Sequence, residues 1–153
     1  MKERVSVEEA EKVLGRSKQE IRKRLRLDYI RGKHDFPVGY AYPTESGKTF
    51  SCELYKGLIM KHVGLEEWTD ENQRVTPEEA EKILKISPTR IRNLLKLDYL
   101  NKTNRFPVGF AYKSATGNSY QFDLYKPLIM KRAGLDKWPG EGEQDEQGQK
   151  NNL

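Results

Sequence analysis

The chain has 153 residues, of which 35% are hydrophobic and 33% charged, with a formal net charge of +5 and one cysteine. A single cysteine excludes a disulfide framework, and no apolar run approaches the roughly 20 residues of a membrane span. The opening MKERVSVEEA has no apolar leader, so a soluble, cytoplasmic protein with no membrane partner is expected.

The sequence repeats itself. FPVGYAY at 36–42 returns as FPVGFAY at 106–112, and a shift of 70 aligns Arg4–Trp68 with Arg74–Trp138 without a gap and with about half of the positions identical. Two units of this size are too long and too few for a solenoid, whose repeats run to roughly 20–50 residues. The expected organisation is therefore a domain at 4–68, a connector at 69–73, a second domain at 74–138 and a tail at 139–153. The copies carry 13 basic against 10 acidic side chains and 13 against 6, whereas the tail carries 1 against 4. The basic charge thus belongs to the domains, where a polyanion can meet it, and the Gly/Glu/Gln-rich tail is expected to be disordered and acidic.

Along each copy, Ser6 with Glu9, and Thr76 with Glu79, have the spacing of a capping box. A short helix is expected to follow, burying Ala10, Val13 and Leu14, or Ala80, Ile83 and Leu84, and ending near Gly15 in the first copy. Ser17 and Ser87 can cap a second helix, RSKQEIRKRLR or ISPTRIRNLLK, whose apolar stripe is Ile21 and Leu25, or Ile91 and Leu95. Its other face carries Lys18, Gln19, Arg22, Lys23 and Arg26 in the first copy, and Thr89, Arg90, Arg92, Asn93 and Lys96 in the second. FPVGYAY, a Gly-containing turn and TFSCELY then read as a β-hairpin, as do their counterparts in the second copy. A closing helix, ELYKGLIMKHVGL or DLYKPLIMKRAGL, is expected to pack Leu58, Met60 and Leu65 and their equivalents on the first helix. Tyr29, Tyr42, Tyr55, Tyr99, Tyr112 and Tyr125 read as core or hairpin anchors.

VSVEEAEKVLGRSKQEIRKRLR and VTPEEAEKILKISPTRIRNLLK resemble the helix-turn-helix opening of the MerR-like superfamily and, within it, of the excisionase family. Unlike those usually single modules, this chain carries two fused copies, and LDYIRGKHDFPVG between the second helix and the hairpin is long for the family. The resemblance implies an α+β fold, mainly α with small β-hairpins, as two tandem winged helix-turn-helix domains. It implies binding to double-stranded DNA, as an excisionase-like architectural factor or a transcriptional regulator of a phage or mobile element, with an integrase or recombinase as a further partner. The second helix would then enter the major groove. Arg22 and Arg92 would contact guanine or phosphate, Gln19 and Asn93 suit adenine, and Lys48 and Lys113 near the hairpin tips would contact phosphates. Thr89 and Arg90 replace Gln19 and Glu20, so the copies should read different bases.

A basic helix face by itself is ordinarily a solvated one, and a protein-interaction adaptor or inhibitor is the alternative. Cys52 aligns with Phe122, and His34 and His62 with Asn104 and Arg132, so none of them reads as a ligand or nucleophile. Glu8, Glu9 and Glu11 suit the positive end of a helix dipole, and Gly39 and Gly109 read as relief of crowding in a strand. No enzyme activity, metal or cofactor is expected. The connector Thr69–Gln73 spans at most about 18 Å when extended. It would make the chain a monomeric pseudo-dimer on two adjacent half-sites.

Overall fold

The computed structural model describes residues 3–140. Most of the expected acidic tail, from residue 141 onward, lies outside the described residues. The chain divides into two compact units, one built mainly of residues up to Arg74 and the other mainly of residues from Val75 onward. Both are α+β. The first runs β1 (Arg4–Val5), α1 (Val7–Leu14), α2 (Lys18–Arg31), β2 (Gly39–Pro43), β3 (Phe50–Tyr55) and α3 (Lys56–Val63). The second repeats this order as β4 (Arg74–Val75), α4 (Pro77–Leu84), α5 (Pro88–Asn101), β5 (Gly109–Lys113), β6 (Tyr120–Tyr125) and α6 (Lys126–Ala133). Each has a three-stranded sheet, in the orders β1-β3-β2 and β4-β6-β5.

Local chemistry explains the helix starts. The Ser6 hydroxyl accepts from the Glu9 N–H at 3.0 Å, and the Glu9 carboxylate accepts from the Ser6 N–H at 3.1 Å. Thr76 and Glu79 repeat the box at 3.1 and 3.0 Å, so two otherwise orphaned donors are satisfied at each helix start. Ser17 and Ser87 cap α2 and α5. α1 ends at Gly15 in the left-handed conformation (φ +65°), where a Cβ would run into Asn72 and Arg74; α4 ends in the same conformation on Lys85.

The hairpin explains the twice-written FPVG. Phe36 and Val38 are buried ahead of the strand, and the strand itself starts only at Gly39, which lies opposite Leu54 in antiparallel register. A Cβ on Gly39 would collide with the Glu53 carbonyl oxygen, and one on Gly109 with that of Asp123. Both glycines therefore allow close approach of two backbones, as crowding in a strand requires.

Two expectations need correction. The second helix does not stop near Arg26 but continues to Arg31, so LDYIR of the long intervening segment is helical, and α5 likewise reaches Asn101. α3 buries Ile59, His62 and Val63, while Leu58, Met60 and Leu65 are only half-buried, because the helix begins at Lys56 and turns its Ile59 stripe inward. Among the six tyrosines, Tyr112 and Tyr125 are buried and Tyr55 and Tyr99 half-buried. Tyr29 and Tyr42 are exposed but anchor the hairpin as expected: the Tyr42 hydroxyl donates to Glu53 across it at 3.3 Å, and Tyr29 touches Phe50 edge-on. At the end of the connector, Gln73 is buried and its N–H donates to the Val13 carbonyl at 2.9 Å.

Candidate nucleic-acid interface

In the first repeat, Ile21 and Leu25 fix the rotation of α2 by burying its inner stripe completely. That rotation places Gln19, Arg22 and Arg26, at helical spacings of three and four, on the exposed side, with Lys18 and Lys23 half-buried at its margins. The next basic residue, Arg24, is not part of this face. It is 6% exposed and lies over the Phe36 ring at 5.4 Å, next to the buried Asp28.

α2 is tied to α1 across the tight turn. The Lys18 N–H donates to the Glu11 carboxylate at 2.8 Å, and the Lys18 ammonium pairs with Glu8 at 3.8 Å. Gln19, Arg22, Lys23 and Arg26 make no hydrogen bond or ion pair among the described residues, so their donors face solvent. Arg22 stands close to Cys52 of β3. Burial pushes the free Cys52 thiol up and the Arg22 charge pulls it partly back.

The second repeat has the same scaffold with a different charge arrangement. Thr89, Arg90, Asn93 and Lys96 are exposed, but Arg92 is half-buried and does not share the environment of Arg22 as expected. Its guanidinium donates to Glu78 at 3.0 Å, and Lys96 sits over the Tyr120 ring at 4.8 Å. The Glu78 carboxyl is held below its usual range, first by its own backbone N–H at the start of α4 and then by Arg92.

The hairpin turns also differ. Thr44 to Thr49 closes through the Thr44 N–H to the Thr49 carbonyl at 3.0 Å and a hydroxyl contact at 2.7 Å, with Lys48 exposed at the tip. Ser114 to Ser119 closes in the same way at 2.9 Å, but Asn118 replaces Lys48. Lys113 is the last residue of β5 and half-buried, so it stands directly beside this turn rather than within it.

An aspartate near the end of each helix, buried at Asp28 and half-buried at Asp98, supports α2 and α5 from behind. Asp28 accepts the Phe36 N–H at 2.8 Å and thereby ties the end of α2 to the chain entering the hairpin; Asp98 does the same for Phe106 at 2.8 Å. Sequence reading missed this role for both aspartates, as well as the Arg92–Glu78 pair. The mismatch of Lys18 with Pro88 was its one visible signal, because a proline leaves the acidic residue at position 78 without the lysine that Glu8 has.

No group of three or more His, Cys, Asp or Glu side chains that could hold a metal ion occurs among the described residues, and no described helix is long and apolar enough to cross a membrane. No protein-family model, curated protein or solved structure matches the chain.

Proposed function

We infer that the chain is a sequence-specific double-stranded DNA-binding protein in which each repeat acts as a winged helix-turn-helix. The reading rests above all on the outer face of α2. Three donor-rich side chains without partners, Gln19, Arg22 and Arg26, stand in line on a helix held against α1 by a capped turn, with the basic tip of a hairpin on the same unit. α2 has 14 residues and so is about 21 Å long, and a helix fits the major groove of B-DNA, which is about 12 Å wide. In this reading α2 and α5 lie in successive major grooves. Arg22 and Arg26 donate to guanine edges or phosphates, the Gln19 and Asn93 amides suit adenine, and Lys48 contacts the adjacent backbone. The two repeats then occupy half-sites about one helical turn apart, as a covalent counterpart of a dimer. The corresponding biological role is that of an excisionase-like architectural factor working with an integrase or recombinase, or that of a transcriptional regulator, in a phage or mobile element.

One observation favours a second reading as a protein-interaction module: Leu97 and Leu100 on α5 are each 53% exposed. Selection of bound duplexes from a random pool, followed by anisotropy titrations at two salt concentrations, separates the two. The DNA reading expects an enriched pair of motifs about 10 base pairs apart and a steep loss of affinity with salt. Arg22→Ala should cost about 1–3 kcal/mol and relax selectivity in one motif. No enriched motif, together with salt-insensitive or absent binding, would replace the DNA reading with the protein-interaction one.

A further inference from the structure

Position 18 of the first repeat corresponds to position 88 of the second, and the exchange of lysine for proline there changes the environment of an arginine one helical turn away. In the first repeat Lys18 occupies Glu8 at 3.8 Å and Arg22 stays free. In the second, Pro88 offers neither an ammonium nor an N–H, and the equivalent acid, Glu78, takes Arg92 at 3.0 Å instead. The two side chains of that pair remain 39% and 61% exposed, so the contact is made at the surface on which the proposed DNA face lies.

We propose that Glu78 is a specificity-determining residue of the second repeat: it withholds Arg92 from DNA, and Pro88 does not offer it the ammonium that Lys18 offers Glu8. This rests on the DNA-binding reading. An exposed ion pair shifts an equilibrium by no more than about fivefold. To reach a base or a phosphate Arg92 must give up that pair, and Glu78 is then left as a bare negative charge facing the DNA backbone. Both effects act against the second half-site. The first repeat therefore carries most of the base discrimination through Gln19, Arg22 and Arg26, while the second contributes through Thr89, Arg90 and Asn93.

Glu8 supplies the control, because it occupies the same place in the fold and holds no arginine. Anisotropy titrations would use the duplex selected by the wild-type chain and two derivatives with one or the other half-site scrambled. Glu78→Gln is expected to tighten binding about three- to tenfold on duplexes retaining the half-site of the second repeat. Glu8→Gln should change it by less than about twofold. Arg92→Ala added to Glu78→Gln should abolish the gain, and Pro88→Lys, which restores the arrangement of the first repeat, should reproduce it. Equal gains from Glu8→Gln and Glu78→Gln would reduce the effect to general charge and overturn the proposal. So would a gain that survives Arg92→Ala, or weaker binding by Glu78→Gln, which would make Glu78 a support that presents Arg92 to the base.

A measurement without DNA keeps the proposal separable from the reading beneath it. By NMR, guanidinium rotation in the free protein should be slower for Arg92 than for Arg22, and Glu78→Gln should remove the difference. Equal rates would refute the withheld arginine even if the chain binds DNA. Slow rotation of Arg92 in a chain that selects no duplex would instead refute DNA binding, and with it any role for Glu78 in specificity.

Discussion

Arg24 in the first repeat and Arg132 in the second both lie over the phenylalanine that opens FPVG, yet they come from different helices. Arg24 reaches Phe36 from α2 at 5.4 Å, and Arg132 reaches Phe106 from α6 at 4.9 Å. Where the first repeat has Arg24 the second has Leu94, packed against its core, and where the second has Arg132 the first has His62, edge-on to Phe36 at 5.6 Å. The packing requirement at the phenylalanine is met twice by different residues. The comparison separates what the fold demands from what it leaves open: capping boxes, the glycine opposite the third strand and the inward stripe of the second helix recur, while the charges on the outer face of that helix do not.

The largest effect should come from a feature common to both repeats. Gly39→Ala or Gly109→Ala would force a Cβ into the backbone of the neighbouring strand, at the Glu53 or the Asp123 carbonyl oxygen. Neither obstacle is the end of a flexible side chain, so the hairpin must open, at a cost of about 3 kcal/mol to the repeat concerned. Urea denaturation followed by NMR resonances of each repeat would show the loss. Tolerance of alanine at either position would mean that the recurring glycine is incidental.

A smaller effect should follow from exchanging the two solutions at the phenylalanine. Arg24→Leu removes the buried cation from Phe36 and from the neighbourhood of Asp28, and His62→Arg places a second cation beside Arg24. Each single change is expected to cost about 1–2 kcal/mol, whereas the pair recreates the arrangement of the second repeat and should recover most of the loss. A coupling energy of about 1 kcal/mol or more in the double-mutant cycle supports the equivalence. Strict additivity would show that the two arginines fill unrelated roles.

What could be read from the sequence follows from the range over which each feature is determined. The boxes at Ser6 and Thr76 and the caps at Ser17 and Ser87 involve residues three apart, so their chemistry is written locally. β1 and β4 were not legible, because two-residue strands have no periodicity and exist only through pairing with a strand some 50 residues later. The extension of α2 through Leu27–Arg31 is hidden because the next inward position after Leu25 is the polar Asp28 rather than an apolar residue. Asp28 is buried only because the returning chain donates the Phe36 N–H to it. On the candidate face, the exposure of Gln19, Arg22 and Arg26 follows from the Ile21–Leu25 stripe, but the capture of Arg92 by Glu78 joins residues 14 apart on two helices and depends on their packing.

The pair Asp28 and Asp98 gives the smallest predicted effect and tests the comparison through pH. Burial pushes the Asp28 carboxyl up, against the opposing influence of the Phe36 N–H and the Arg24 charge. At Asp98 burial also works against the charged form, but donors outweigh it. The Phe106 N–H at 2.8 Å, the Thr103 hydroxyl at 2.7 Å and the Arg105 N–H at 3.1 Å bring the carboxyl below its ordinary value. The signs are opposite. A carboxyl raised by folding contributes stability that is fully present below its unfolded pKa and is lost as pH rises through the folded value. A carboxyl lowered by folding contributes stability that is present above its unfolded pKa and is lost as pH falls through the folded value. Acidification through the carboxylate range should therefore favour the first repeat through Asp28 and weaken the second through Asp98. At neutral pH, Asp98→Asn should cost the second repeat about 1 kcal/mol, since an amide cannot accept from all three donors, while Asp28→Asn should cost the first repeat less. Carboxyl carbon shifts followed against pH, with amide exchange at Phe36 and Phe106 as the local stability probe, would check both signs. Titration of both aspartates on the same side of the ordinary value would show that Lys33 and Thr103, which replace one another after the two helices, do not make the difference.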